Sequence, residues 1–251
     1  MDVVDLKDFY SRPIGHMARR LITHRIRARV PVHKGLRIMG LGYAVPYLDP
    51  WRAEAESVLG FMPAWQGVTH WPPGGPSATC LADETELPLE DSSIDLALVV
   101  HSLELTESRR AMLRELWRVM SPQGHCVFVV PNRKGMWARV DSTPFGHGRP
   151  FSRSQFTQLL RDSMFNPGGW AHALFVPPIE RGFVMRSAPA WERFGLMTGI
   201  MMSGVIIVDA QKQVFAAVRR ERSKQLVPEL ARAPEAAGNA ISTSEKRRVR
   251  P

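Results

Sequence analysis

The first stretch able to hold a ligand is short. Leu36 to Gly40 reads as a short strand. It passes through Gly40, Leu41, Gly42, Tyr43 and Ala44 into a segment read as helical from about Val45 to Ser57. A strand, a glycine-rich turn and a helix start bring backbone N–H groups and the positive end of a helix dipole to one point, and residues without Cβ let a ligand approach the main chain. Two glycines spaced this way carry little specificity by themselves. The two cysteines, Cys80 and Cys126, fall in apolar runs read as buried strands and lack the spacing of metal ligands. They are expected as small core hydrophobes in a reducing compartment.

The elements that would position such a turn are legible further along. Ile94 to Val100 and Cys126 to Val130 are too apolar to face water. Between them, Ser108 to Met120 sets Met112, Leu113, Leu116 and Met120 on one helical face, and Pro122 and Gly124 stop the helix. Two buried strands joined by a helix form the crossover unit of a parallel sheet. Val58–Met62 and Ala78–Ala82 supply two more strands, divided by a loop rich in Pro and Gly that cannot be helical. Residues 3–30 read as two helical pieces broken near Pro13 and Gly15. A long polar loop follows Pro131, Ser152–Ser163 and Pro189–Met197 read as helices, and Gly169–Val176 and Gly204–Val208 read as strands. The fold class expected is α/β: a Rossmann-like, mostly parallel sheet with helices on both faces and a ligand at the strand carboxyl ends.

Charge is distributed unevenly. The net +9 resolves into +5 in residues 1–34, −1 in 35–218 and +5 in 219–251. A domain built to grip a phosphate backbone carries its basic face on the body, so the neutral middle weakens a nucleic-acid reading, and the basic termini are all that keeps it open. Three parts are expected: an N-terminal helical cap over 1–34, an α/β domain over 35–222, and a disordered basic tail over 223–251, where apolar periodicity ends. The acids Asp2, Asp5 and Asp8 interrupt the start, so no signal-peptide pattern is read, and the longest uncharged run, Phe194–Val208, is too short to span a bilayer. The expectation is a soluble cytoplasmic protein with no membrane partner.

Strand, Gly-x-Gly turn, two further strands, Asp83 with the block LPLEDSSID, a strand, a helix ending RVMSPQG and another strand: over residues 36–132 this order resembles the class I S-adenosylmethionine-dependent methyltransferases, the type 11 group in particular. The resemblance implies a seven-stranded sheet with one reversed strand and S-adenosyl-L-methionine as cofactor. It implies that Gly40 and Gly42 approach the methionine portion, that Leu41 and Tyr43 line the turn, and that Asp83, with Glu84 beside it, accepts from the adenine amino group. His101, just past the fourth strand, would lie where cofactor and methyl acceptor meet, and it is the candidate catalytic residue. Asp95 reads instead as a structural acid at a strand entrance.

The chain departs from the family at three points. Ile38 stands where an acid usually precedes the first glycine, and Ala44 replaces the third glycine. Phe61 or Met62 stands where an acid holds the ribose hydroxyls, and Met62 keeps that place among the candidate cofactor residues. Glu54, Glu56 and Gln66 are the substitutes considered. Methyl transfer is an in-line displacement at a sulfonium that depends on alignment and a dry site. A base is needed only if the acceptor must lose a proton, and His101 or His147 could serve by type. Phe9, Tyr10 and the 133–151 loop are candidates for a lid on the acceptor side. A small-molecule acceptor is favoured. The alternatives are a methyltransferase-fold binding or regulatory protein without catalysis, motivated by the missing acids, and an RNA methyltransferase using the basic termini.

Overall fold

In the computed structural model, residues 1–30, 34–198 and 202–214 are described. The tail expected over 223–251 lies outside them. Seven strands, β1 (Arg37–Gly42), β2 (Ser57–Pro63), β3 (Thr79–Ala82), β4 (Ile94–Val100), β5 (Met120–Pro131), β6 (Phe165–Ala173) and β7 (Val205–Lys212), form one sheet in the order β3-β2-β1-β4-β5-β7-β6. The first five in sequence pair in parallel, and β7 runs against both β5 and β6. Chain order reverses direction between β1 and β4, and in open sheets of this kind the crevice outside the strand carboxyl ends at that point is where ligands bind.

Side-chain alternation along the central strands feeds a core on each side of the sheet. Leu96, Leu98 and Val100 of β4, with Val127 and Val129 of β5, join one cluster, while Ala97, Val99, Cys126 and Phe128 join the other. The first side is closed by α1 (Val3–Ser11), α2 (Pro13–Arg27) and α3 (Val45–Leu48), which contribute Leu6, Phe9, Ile14, Ile22, Ile26 and Leu48. The second is closed by α4 (Arg109–Val119) and α5 (Arg153–Asp162) through Met112, Leu113, Leu116, Phe156 and Leu160. Two further helices, α6 (Gly182–Arg186) and α7 (Ala188–Thr198), precede β7. The expected helix to Ser57 stops early: α3 covers one turn, a tighter turn follows over Asp49–Trp51, and Pro50 cannot donate to a continuing helix. Cys80 was expected to be buried and is exposed, because β3 is the edge strand and has a neighbour only in β2.

The segment that carries the family resemblance is held by a charged clasp. Glu115 on α4 accepts from the Leu87 backbone N–H at 2.8 Å and from Arg118 Nε at 2.9 Å. Arg118 in turn donates to the Leu87 and Leu89 carbonyls and pairs with Asp91 at 2.6 Å. The acids and arginine of LPLEDSSID and ELWRVM therefore pin the β3–β4 connection to α4. At the entrance of β4, Asp95 accepts from Arg37 Nε and Nη2, both at 3.0 Å, which ties β4 to the start of β1.

The Arg118 bond, with the Leu87 N–H, holds the Glu115 carboxyl below the usual carboxylate range. A depressed carboxylate contributes stability that is present above its unfolded value, about 4.3, and lost as pH falls through the folded one. Glu115→Gln is expected to lower unfolding stability by about 1–2 kcal/mol at pH 7. The gap to the native chain should narrow as pH falls below about 4.3 when both are unfolded in urea. A gap that is constant with pH would reject the charged clasp.

Candidate active site at the β1–β4 switch point

The carboxyl ends of β1 and β4 meet over a group of polar side chains that the surrounding packing removes almost completely from solvent. His101 follows β4 and is 1% exposed, Glu104 one helical turn later is 1% exposed, and Gln66, from the loop after β2, is 0% exposed. His101 adopts φ 51°. A left-handed backbone is uncommon for a residue with a side chain, and such conformations gather at functional sites. The strain is held from outside: Gln66 Nε2 donates to the His101 carbonyl at 2.7 Å.

Three tyrosines complete the group. Tyr10 reaches in from α1, and its hydroxyl lies 2.7 Å from the Tyr47 hydroxyl on α3 and 2.8 Å from His101 Nε2. Its ring stacks on Tyr43 of the glycine turn at 5.7 Å between centroids. Burial, reinforced by Tyr47, pushes the Tyr10 phenol well above its ordinary range. Burial also raises Tyr43 to about 12 and raises Tyr47. All three stay protonated at neutral pH and act as hydroxyl groups. On the other edge of the imidazole, His101 Nδ1 is 3.4 Å from Glu104 Oε1. The result is a line of groups, Glu104, His101, Tyr10 and Tyr47, running from the β4 end to the two N-terminal elements.

Polar atoms here lack partners. Both Glu104 oxygens, Gln66 Oε1 and His101 Nδ1 are buried without a hydrogen bond. A buried carboxylate costs several kcal/mol unless it is paired, and buried polar atoms without partners are rare enough in folded proteins to call for a binding partner, a water or an ion as explanation. Their concentration at the switch point makes this the candidate site. No cluster of metal-ligand type occurs among the described residues.

The structure places the sequence candidates as follows. Tyr43 and His101 are in the group. Gly40 and Gly42 are at its base, and Gly42 has φ 78°. A Cβ there would lie 2.4 Å from the Val100 carbonyl oxygen, so the missing side chain is required by the chain's own packing. Leu41 points to the opposite side of the sheet, into the core under α4, because side chains alternate along β1. Met62 is fully buried in the core on the tyrosine side. Asp83 is exposed, with Oδ1 accepting from the backbone N–H and hydroxyl of Thr85 at 2.7 and 2.6 Å. Glu84 is buried and accepts from Trp65 Nε1 and Thr106 Oγ, which links the β3 end to the loop after β4. Of the substitutes for the ribose acid, Glu54 and Glu56 lie before β2, at the end away from the strand carboxyl termini. Gln66 is the one that reaches the site. The proposed lid parts do meet over His101: the Phe145 ring is 4.9 Å from the imidazole and 6.2 Å from Phe9. His147 is elsewhere, bonded to the Asp141 carbonyl within its own loop. Sequence reasoning missed Glu104 and Tyr47. The spacing His101-x-x-Glu104 directly after a buried strand was the available signal for the first.

These residues fit S-adenosylmethionine unevenly. The unpartnered carboxylate and amide oxygens, among aromatic rings, suit its cationic end. The end of β2 offers Met62 and Pro63 where a ribose would need an acceptor.

Comparison with known proteins agrees with the fold. Residues 63–128 match the family model described as a methyltransferase domain. The S-adenosylmethionine-dependent methyltransferase of Thermotoga maritima superposes with a TM-score of 0.59 at 15% identity, covering 84% of this chain and 96% of that one. One from Mesorhizobium loti gives 0.54 at 21%, covering 75% and 96%. A chain of the Haloferax volcanii complex between the Trm112 methyltransferase activator and a methyltransferase gives 0.58 at 16%, covering 85% and 99%. No curated protein matches the sequence. Residues 63–128 are thus similar to a methyltransferase domain, and the seven-stranded, Rossmann-like fold of the chain is the one these methyltransferases share. The Thermotoga and Mesorhizobium proteins are described as dependent on S-adenosylmethionine.

The Tyr10 hydroxyl serves two buried partners, whereas the neighbouring Tyr43 is engaged through its ring. Tyr10→Phe is expected to destabilise the chain by about 1–3 kcal/mol and to speed amide hydrogen exchange in α1. Tyr43→Phe should cost less than about half as much. Equal costs in urea unfolding would show that the hydroxyl network does not anchor α1.

Proposed function

We propose that the protein transfers a methyl group from S-adenosylmethionine to a small-molecule acceptor at the β1–β4 switch point. What supports this most is the set of buried acceptors left without a hydrogen bond, Gln66 Oε1 and the Glu104 oxygen turned away from His101 above all, at the place where this fold carries its ligand. The cofactor supplies an activated methyl group on a sulfonium. Glu104 and Gln66 would hold its charged amino-acid end, and the Asp83 oxygen outside the Thr85 turn would accept from the adenine amino group. His101 is the base if the acceptor carries a proton, with Glu104 orienting its imidazole. Tyr10 caps Nε2, so an acceptor reaches the histidine only when α1 shifts, and α1 with the Phe145 loop forms the lid. The dry, closed surroundings favour an electrostatic role for the fixed groups and keep water from competing as acceptor.

A second reading rests on Met62 and Pro63: without a ribose acid, the chain would be a methyltransferase-fold binding protein that does not methylate. The basic α2 face gives less support to RNA as substrate. Arg19, Arg20, Arg27, His16 and His24 line a cleft of about 750 Å³ on the helix side of the sheet, while the neutral body argues against a long phosphate footprint. No described helix is long and apolar enough to cross a membrane, and two free cysteines suit a reducing compartment, so we place the protein in the cytoplasm.

Isothermal titration with S-adenosylmethionine tests the first reading. Binding is expected, and Glu104→Gln should weaken it by roughly ten- to a hundredfold, the cost of one charge-assisted contact. His101→Ala should lower turnover far more than cofactor affinity. Absence of heat and of any thermal shift at millimolar cofactor would exclude methyl transfer in favour of the binding-protein reading.

A further inference from the structure

A second cleft, of about 650 Å³, opens beside the carboxyl end of β5 on the α4–α5 side of the sheet. Its charged lining is basic: Lys134, Arg153 and Arg161, with no carboxylate among the described residues that line it. None of the three makes an ion pair with a described residue. Arg153 sits over the Trp170 ring at 4.9 Å, which fixes the guanidinium without neutralising it. The cleft also takes in the first turn of α5, a ten-residue helix whose start is set by a Ser152–Gln155 capping box. Leading backbone N–H groups and the helix dipole add to the positive potential there.

An independent observation points to a ligand. His172 of β6 lines the same cleft, is 6% exposed, and has a buried Nε2 with no hydrogen-bond partner. Its other nitrogen, Nδ1, is 2.9 Å from Ser203 Oγ, whose hydroxyl can donate to it in the tautomer that carries the proton on Nε2, and the same oxygen accepts from Asn132 Nδ2 at 3.1 Å. The imidazole is thus held at one edge and left unsatisfied at the other, in a wall whose charged side chains are all cationic. An anion would supply the acceptor Nε2 lacks and the countercharge the three side chains lack.

We propose that this cleft binds the phosphate group of a small molecule, held by Arg153, Arg161 and Lys134 and by a hydrogen bond from His172 Nε2. A phosphate offers several acceptor oxygens and close to two charges, which matches three separated cations better than a single carboxylate does. The site lies apart from the tyrosine cluster and does not depend on the methyltransferase reading: it would hold whether or not the switch point binds S-adenosylmethionine.

Burial, then Arg153 and Arg29, push the His172 imidazole down to about 4. The charged groups facing it are Arg29, Arg153, Lys134 and Arg161, all positive, so a bound anion must raise that value. The test uses the full chain with inorganic phosphate as probe, followed through the histidine ring nitrogens by NMR. Phosphate is expected to shift the His172 nitrogens with millimolar affinity and to raise the pH at which they titrate. Arg153→Ala and Arg161→Ala should each weaken that affinity about five- to tenfold. Arg114→Ala, in a different cleft, should leave it unchanged. His172→Gln, which keeps an N–H donor, should retain more affinity than His172→Ala. Silence of the His172 nitrogens up to high millimolar phosphate, equal weakening by all three arginine variants, or acetate acting as strongly as phosphate would each overturn the proposal.

Discussion

The Tyr10 hydroxyl is the contact on which the site depends, because it is shared between Tyr47 and His101 and so joins three parts of the chain. α1 is nine residues long and could not hold a helical conformation alone in water. Its inner residues are covered by the sheet, and Tyr10 carries its one polar reach into the centre. The same bond fixes the imidazole, whose backbone is strained and whose carbonyl is held by Gln66. An N-terminal helix, a strand end and a loop thus constrain one another at a single ring.

A polar group thus sits against the hydrophobic core on one side of the sheet. The His101 ring packs against Tyr10 and Phe145 of the tyrosine-side core, and Glu104 and Gln66 are buried beside it. In a low-dielectric setting unsatisfied acceptors are costly, yet the same setting strengthens whatever charge they meet. The fold offsets the cost with bulk: β4 from Leu96 onward and β5 from Cys126 onward are buried, and the clasp of Arg118, Glu115 and Asp91 keeps the β3–β4 connection in place. The residues that look most family-specific in sequence are therefore scaffold, and the candidate site group at His101 and Glu104 lies between their two blocks.

Much of the fold was legible because its signals are local. The apolar runs at Ile94–Val100 and Cys126–Val130 and the Ser108–Met120 periodicity appear in the structure as β4, the second half of β5 and α4, while Pro122 and Gly124, expected to stop the helix, lie inside β5, which begins at Met120. The overlong reading after the glycine turn failed because one proline outweighed good helix formers. Cys80 failed because exposure on an edge strand depends on which neighbour is missing, and composition carries no record of that. For the site, the histidine was visible by type and position. Glu104 was passed over because its carboxylate has meaning only once burial has removed its solvent, and Tyr47 because its partner is 37 residues away.

The sequence by itself determined the α/β class, the crossover units, the glycine turn and the absence of an acid at the end of β2. These follow from side-chain chemistry read over short windows. The tertiary structure decided which of the polar residues meet. It sent Leu41 to the far core, kept Asp83 in a surface turn, left Glu54 and Glu56 at the wrong end of β2, and drew Tyr10, Gln66, His101 and Glu104 together from elements that are distant in the chain. Hydrophobic packing sets those distances, and packing is a property of the whole chain that no short stretch of it contains.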